Sequence, residues 1–245
     1  MNRWLMVSVT SAIGEQLARR LATDGDALYL TGRDAGRLEQ IAMDLRVRGA
    51  GLVVVEVLDV RDPVTLAGLI DRTTAALGGL DGVVYMAGQL PDQAAVNRDP
   101  ALIREVMEVN AIAAMDLLGR AATLFESQER GLIVAIGSVA GDRGRAVNAA
   151  YGAAKGALEI FLSGLRQRLA RHQVDVLLVK PGFVDTPMTA GFTKGALWAS
   201  PERVARDIQH AMQRRRSVIY TPWFWRWILQ VIRLIPETIF VRLRF

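Results

Sequence analysis

The sequence predicts an α/β protein built on a single doubly wound parallel sheet, a Rossmann fold. Short apolar runs rich in β-branched residues recur along the 245 residues, and segments of helical period separate them. The runs are apolar throughout rather than alternating, as strands covered on both faces require. No internal repeat or low-complexity linker divides the chain, so one domain is expected.

The predicted strands are 4–9 (WLMVSV), 27–31 (ALYLT), 51–57 (GLVVVEV), 81–86 (DGVVYM), 131–137 (GLIVAIG), 174–180 (VDVLLVK) and 217–220 (SVIY). Helices are predicted over 13–23, 34–48, 63–77, 99–127, 151–172 and 201–214. Residues 1–220 form the expected catalytic domain, and residues 221–245 an amphipathic extension. Ligands of such a sheet bind beyond the C-terminal ends of its strands.

Composition narrows the chemistry. The chain has no cysteine and only two histidines, His172 and His210, so no metal site and no Ser-His-Asp triad is expected. The net charge of +5 sits in the tail: residues 214–245 hold seven arginines against one acid, Glu237, which leaves the rest at −1. A basic tail on a neutral body argues against nucleic acid as partner. The N-terminal MNRWLMVSV runs directly into a strand with no signal peptide, and cytoplasm is the expected location.

The first turn reads Ser8-Val-Thr-Ser-Ala-Ile-Gly14 before a helix. Glycines there would let backbone approach a pyrophosphate at the helix N-terminus, and only Gly14 is present. Thr10 and Ser11 can still offer hydroxyls to phosphate. The second strand ends in TGRD, where an acid would bind a ribose 2′-hydroxyl and an arginine suits a 2′-phosphate. Arg33 stands there and points to NADP(H) over NAD(H); the competing reading is a solvated helix-start arginine. Asp59 is placed to meet an adenine edge, and Ala87-Gly88 end the fourth strand where bulk would block a ribose.

Chemistry concentrates on Ser138, Tyr151 and Lys155. Ser138 closes the fifth strand at the sheet edge. Tyr151 opens a helix and Lys155 lies one turn on, on the same face. An ammonium beside a phenol is expected to lower the phenol's pKa, and such a tyrosine can hand a proton to a carbonyl oxygen as hydride arrives at carbon. A Tyr-x-x-x-Lys pair alone is commonplace on helices, and the strand-end serine makes it informative. The small residues around it, Ala149, Ala150, Gly152, Ala153, Ala154 and Gly156, are expected to leave room for a nicotinamide ring and a substrate.

With these motifs the chain resembles the short-chain dehydrogenase/reductase family over about residues 4–220. The matching residues are AIGEQLARRLA after the first strand, TGRD, LDV, Ala87-Gly88, Asn110 in VMEVNAIAA, Ser138, Tyr151, Lys155 and KPGFVDTPM at 180–188. The resemblance implies that Tyr151 is the acid/base and that Lys155 also holds the nicotinamide ribose. It implies that Ser138 orients the carbonyl and that Asn110 binds a water linking Lys155 to solvent; read on its own, Asn110 is equally a helix-kinking asparagine. The implied cofactor site runs over Ser8, Thr10, Ser11, Ile13, Gly14, Arg33, Asp59, Val60, Ala87, Gly88, Asn110, Tyr151 and Lys155, then Pro181, Gly182, Val184 and Thr186. Ser8 and Ala12 stand for two family glycines, and Met86 for the asparagine usual before Ala-Gly; Ala12 is expected to resist a positive φ. By family analogy, helices 99–127 and 151–172 are the faces of a homodimer or homotetramer.

The extension, TPWFWRWILQVIRLIPETIFVRLRF, places Arg226, Gln230, Arg233 and Glu237 on one polar stripe of a helix that Pro236 ends. It is too short and too interrupted to span a bilayer. Tryptophans and arginines beside an apolar face suit a membrane surface, and the competing reading is a helix packed on the body or on a second subunit. The region resembles the C-terminal part of family members that reduce a keto group on a polyprenyl-phosphate-linked sugar, which also keep a Thr-Ser-x-Ile-Gly turn. The expected substrate is a small-molecule or lipid-linked carbonyl, this sugar class first and fatty-acyl, retinoid or steroid-like ketones second. The expected place is the inner face of the cell membrane. The alternative of another class is a non-catalytic dinucleotide sensor or membrane scaffold, which would have little reason to keep serine, tyrosine, lysine and asparagine together.

Overall fold

The computed structural model describes residues 1–243; Arg244 and Phe245, the end of the extension predicted over 221–245, lie outside the described residues. Seven strands form one sheet: β1 (Arg3–Val7), β2 (Ala27–Gly32), β3 (Leu52–Val57), β4 (Gly82–Tyr85), β5 (Gly131–Ile136), β6 (Val174–Pro181) and β7 (Val218–Thr221). Every pair is parallel, in the order β3-β2-β1-β4-β5-β6-β7. The strand order reverses between β1 and β4, which opens a crevice at their C-terminal ends. Each strand lies within two residues of its predicted bounds, because turn residues and unbroken apolar runs bracket it.

The helices are α1 (Ala12–Thr23), α2 (Ala35–Val47), α3 (Pro63–Ala67), α4 (Leu69–Leu77), α5 (Gln93–Arg98), α6 (Ala101–Met107), α7 (Ala113–Gln128), α8 (Ala149–Leu169), α9 (Pro201–Gln213), α10 (Trp225–Leu234) and α11 (Glu237–Phe240). One core layer packs α1, α2 and α9 on the sheet through Leu17, Leu21, Leu38, Ile41, Leu45, Val204 and Ile208. The other packs α3, α4, α7 and α8 through Leu66, Leu69, Leu117, Phe125, Leu158 and Leu162. Side-chain caps start the helices where the sequence changes period. Ser11, Asp34 and Ser200 each accept the amide three residues on.

Three helix predictions are corrected. The segment 63–77 is two helices, broken at Gly68. Helix α5 was not predicted; Asp92 starts it by accepting the amides of Ala94 and Ala95. The segment 99–127 is interrupted by a π-turn over Glu108–Ile112. Such a turn frees main-chain groups from the helix ladder. Tyr85, on β4, donates its hydroxyl to the Val109 carbonyl at 2.9 Å, and Asn110 Nδ2 donates to the Val106 carbonyl at 3.0 Å.

Beyond β7 the chain folds back on the body. Trp225 and Leu229 of α10 are buried with Val139, and Phe224, Ile228, Ile232 and Tyr220 pack around them. The tail therefore packs on its own domain through one face. Among the described residues no helix is long and apolar enough to cross a membrane.

Candidate active site

Ser138 leaves the end of β5 in extended backbone (φ −168°, ψ 153°) and caps a short 3-10 turn over Val139–Gly141, its Oγ accepting the Ala140 amide at 3.1 Å. Tyr151 lies in the first turn of α8, which begins at Ala149 rather than at Tyr151 itself. The Ser138 hydroxyl is a polar neighbour of the Tyr151 phenol. Part of the Tyr151 residue is exposed, yet its hydroxyl sits in dense surroundings; burial pushes the phenol up and the nearby Ser138 hydroxyl offsets part of that rise.

Lys155 is buried, donates to the Ile136 carbonyl at 2.8 Å, and lies 5.8 Å from the centre of the Tyr151 ring. Burial lowers its pKa to about 8. The expectation that the ammonium depresses the phenol is corrected: desolvation dominates both groups, raising the phenol and lowering the amine. The protein thus holds the phenol neutral, the form that donates a proton.

Asn110 is fully buried at the π-turn and grips the chain after β4. Its Nδ2 donates to the Gln89 carbonyl at 3.0 Å, and its Oδ1 accepts the Gln89 amide at 3.2 Å. A Cβ at Gly88 would stand 3.0 Å from Asn110 Oδ1 and 3.5 Å from Lys155 Nζ. Gly88 is therefore the gap across which these two groups approach. Asn110 is both the predicted kink and a member of the cluster.

Gly141 and Gly152 near Tyr151 also have a packing role. A Cβ on Gly152 would press on the Ala140 carbonyl at 2.8 Å, and one on Gly141 would meet α8 backbone at 3.0 Å. They seat α8 against the turn that carries Ser138 and so fix the Ser138–Tyr151 pair.

At the other end of the crevice, Ser8 adopts φ +60° and Ala12 is the first residue of α1. The strain of the missing glycines thus falls on Ser8, at a cost of about 1–2 kcal/mol, while Ala12 sits at ease. Ser11 Oγ accepts the Gly14 amide at 3.1 Å and keeps its hydroxyl proton to donate. A Cβ on Gly14 would meet Ser11 Oγ at 2.7 Å, the Val9 carbonyl at 2.9 Å and Met86 Sδ at 3.0 Å, so Met86 fills the space beside this turn. Thr10 packs over Gly32, and Ile13 and Val60 belong to the two core layers. Arg33 is exposed at the end of β2 and makes no hydrogen bond or ion pair among the described residues. Asp59 is held by Arg61, Nη2 to Oδ2 at 2.6 Å, and Arg61 and then Arg33 keep its carboxyl below the usual range. Its oxygens are thus already engaged by a guanidinium rather than free for an adenine. A Ser11-capped α1 N-terminus at the sheet's C-terminal edge and an exposed arginine after β2 fit a nicotinamide dinucleotide.

Past β6, the Gly182 amide donates to the Thr221 carbonyl at 3.1 Å and Val184 pairs with Ala199, so the 185–198 segment is tied at its base. Thr189 Oγ1 donates to the Val184 carbonyl at 2.6 Å and accepts the Thr186 amide at 3.2 Å. Gly182 has a second duty: a Cβ there would collide with Trp225 Nε1.

The short chain dehydrogenase signature matches residues 3–196. The chain belongs to the short-chain dehydrogenase family. It is 35% identical over 233 residues to an uncharacterized oxidoreductase of Mycobacterium tuberculosis, covering 95% of this chain and 93% of that one. It is 31% identical over 242 residues to an uncharacterized oxidoreductase of Streptomyces coelicolor, covering 98% and 94%. A solved short-chain dehydrogenase from Sphingobium yanoikuyae in complex with NADPH superposes with a TM-score of 0.84 at 25% identity, covering 100% of this chain and 97% of that one.

In this dehydrogenase the sequence missed a buried network behind the site. Lys180 Nζ bonds Asp142 at 2.7 Å, Glu159 at 2.5 Å and the Tyr220 hydroxyl at 3.5 Å. Burial alone would lower this ammonium, but the two carboxylates outweigh it and its pKa rises. The network joins the loop after Ser138, α8 one turn past Lys155, β6 and β7. Nothing in the local pattern signals it, since its members lie far apart in the chain. Chemistry rather than size locates the site: a depression of about 390 Å³ lies at the opposite edge of the sheet. Its carboxylates are already satisfied, Asp81 by Arg3 and Asp26 by Trp4 Nε1.

Proposed function

We propose that this dehydrogenase is an NADP(H)-preferring oxidoreductase that interconverts a ketone and a secondary alcohol, with Tyr151 as acid/base. The observation that carries the reading is the convergence of Ser138, Tyr151, Lys155 and Asn110 at the C-terminal edge of the sheet, with Lys155 Nζ 5.8 Å from the Tyr151 ring centre and Asn110 and Lys155 meeting at Gly88. When bound, the nicotinamide dinucleotide supplies the hydride. Ser138 holds the carbonyl oxygen, and Tyr151 delivers the proton to it as charge develops there. Lys155, while protonated, holds the nicotinamide ribose beside the neutral phenol. Asn110 keeps the main chain at Gly88–Gln89 open so that a water can reach Lys155. Arg33 takes the 2′-phosphate, with Ser8, Thr10, Ser11, Ile13 and Gly14 at the pyrophosphate. Asp59, Val60, Ala87 and Gly88 flank the adenosine, and Pro181, Gly182, Val184 and Thr186 line the nicotinamide.

The substrate we favour is lipid-linked or otherwise apolar, a polyprenyl-phosphate sugar before a fatty-acyl, retinoid or steroid-like ketone. The support is the aromatic wall of Phe183, Trp198 and Trp225 beside Gly182, and the exposed Met188, Phe192 and Leu197 of the 185–198 segment. Such a substrate places the enzyme at the inner face of a membrane. The test is NADPH consumption with ketones graded by apolar chain length and with a keto-sugar on polyprenyl phosphate. Turnover is expected to rise with apolar length, and indifference to it would contradict the substrate reading.

A further inference from the structure

The helix α10 has two apolar faces where a helix resting on its own domain needs one. Its inner face, Trp225 and Leu229, is buried against Val139. Its outer stripe is Trp227, Val231 and Leu234, with Trp223 in the turn just before the helix; the four, in chain order from Trp223, are exposed by 65%, 58%, 65% and 76%. Their spacing of four, four and three residues aligns them on one side, opposite Trp225 and Leu229. Ile239, Val241 and Leu243 extend the exposed apolar surface past α11.

We propose that this outer stripe docks the enzyme on an anionic lipid surface, while the inner face of the same helix braces the loop that bears Ser138. The proposal deepens the apolar-substrate reading and rests on it only for the source of substrate. Exposed Arg226, Arg233 and Arg242 accompany the stripe, and Arg226 lies 6.0 Å from the Trp227 ring. Glu237, the only acid of the segment, is already taken by Arg143 at 2.8 Å. The patch is therefore basic and apolar together, with tryptophans at its rim, the composition that partitions to an anionic interface. A second copy is a poorer occupant, since a two-fold contact would set these arginines against themselves.

The stripe is held rigidly. Arg143, five residues after Ser138, donates through Nη1 to the carbonyls of Ile232 at 2.5 Å and Ile235 at 2.6 Å. Its guanidinium also lies 3.7 Å over the Phe240 ring. Consecutive ring contacts at 6.3, 6.0, 5.3 and 5.4 Å run Trp223–Phe224–Trp225–Phe183–Trp198, from the outer stripe to the residue after Gly182. The run passes through buried Trp225, so it ties the outer stripe mechanically to the crevice wall at Phe183 and Trp198.

The test uses the full chain and the double variant Trp227→Glu/Val231→Glu, which changes only the outer stripe. Co-sedimentation is measured with vesicles of mixed phosphatidylcholine and phosphatidylglycerol and with phosphatidylcholine alone. The wild type should pellet with the mixed vesicles, less so as salt rises, and the variant should bind at least about tenfold more weakly. Thermal midpoint and NADPH turnover on a water-soluble ketone should stay unchanged in the variant. A wild type that stays in the supernatant with mixed vesicles overturns the proposal. So does a wild-type dimer that the variant dissociates, which would assign the stripe to a second copy. Vesicle binding is read without turnover, so its failure is separable from failure of the enzymatic reading.

Discussion

At the β1–β3 end of the crevice Arg33 is exposed with no hydrogen bond or ion pair among the described residues and Ser11 caps α1, whereas at the β6–β7 end the chain covers Gly182 with its own indole. The first end is built for a ligand and tolerates local strain at Ser8. The second is built from aromatic contacts that the chain supplies to itself. Between them sit Ser138, Tyr151 and Lys155, and burial governs the protonation of the tyrosine and the lysine. The contrast teaches that the two halves answer to different mutations.

The largest effect is expected from Trp225→Ala. Removing a buried aromatic costs about 3–5 kcal/mol, and here the loss falls on α10 and the Ser138 loop. Chemical denaturation should show the loss, and the KM for a carbonyl should rise while NADPH affinity stays within about twofold. Equal damage to both would erase the distinction between the ends.

Arg33→Asp addresses the other half. It removes a charge-assisted contact worth about 1.5–3 kcal/mol, so NADPH affinity should fall roughly tenfold or more and the preference should move toward NADH. Stability should change little, because exposed Arg33 makes no hydrogen bond or ion pair among the described residues and its attraction to Asp59 is weaker than that of Arg61. An unaltered NADPH/NADH ratio measured by fluorescence titration would refute its role.

A smaller effect follows from Lys155. Its folded pKa, about 8, lies below its ordinary 10.5, so the unfolded chain binds more protons between these values. For this group stability therefore rises with pH across that window, and the penalty for burying the charge is full below about 8. Reduction should weaken as pH climbs past about 8 and the ammonium is lost. Thermal midpoints and rates across pH 7 to 10.5 read both effects, and Lys155→Met should flatten the stability trend.

Most of the fold was legible because strands of unbroken Val, Leu and Ile between capped helices admit few arrangements. The π-turn was not, since Glu108–Ile112 has helical composition and its register depends on Tyr85 and Gln89 from other elements. In the site, Ser138, Tyr151 and Lys155 were readable from spacing and Asn110 only through the family resemblance, and the structure gathers all four. The direction of the phenol's shift was not, because burial is a property of the packed state. Gly182 read as a cofactor contact, and its service to Trp225 needed the tail's return to the body. The tail's arginine stripe drew attention in sequence, whereas the structure gives the docking to Trp225 and Leu229.

The central claim is that Tyr151 donates the proton. Single-turnover NADPH oxidation by Tyr151→Phe, beside NADPH binding by fluorescence, tests it most directly. The account predicts binding within about twofold of wild type and a rate lowered by about 10²–10⁴-fold. A phenylalanine variant that oxidises NADPH at the wild-type rate would contradict it.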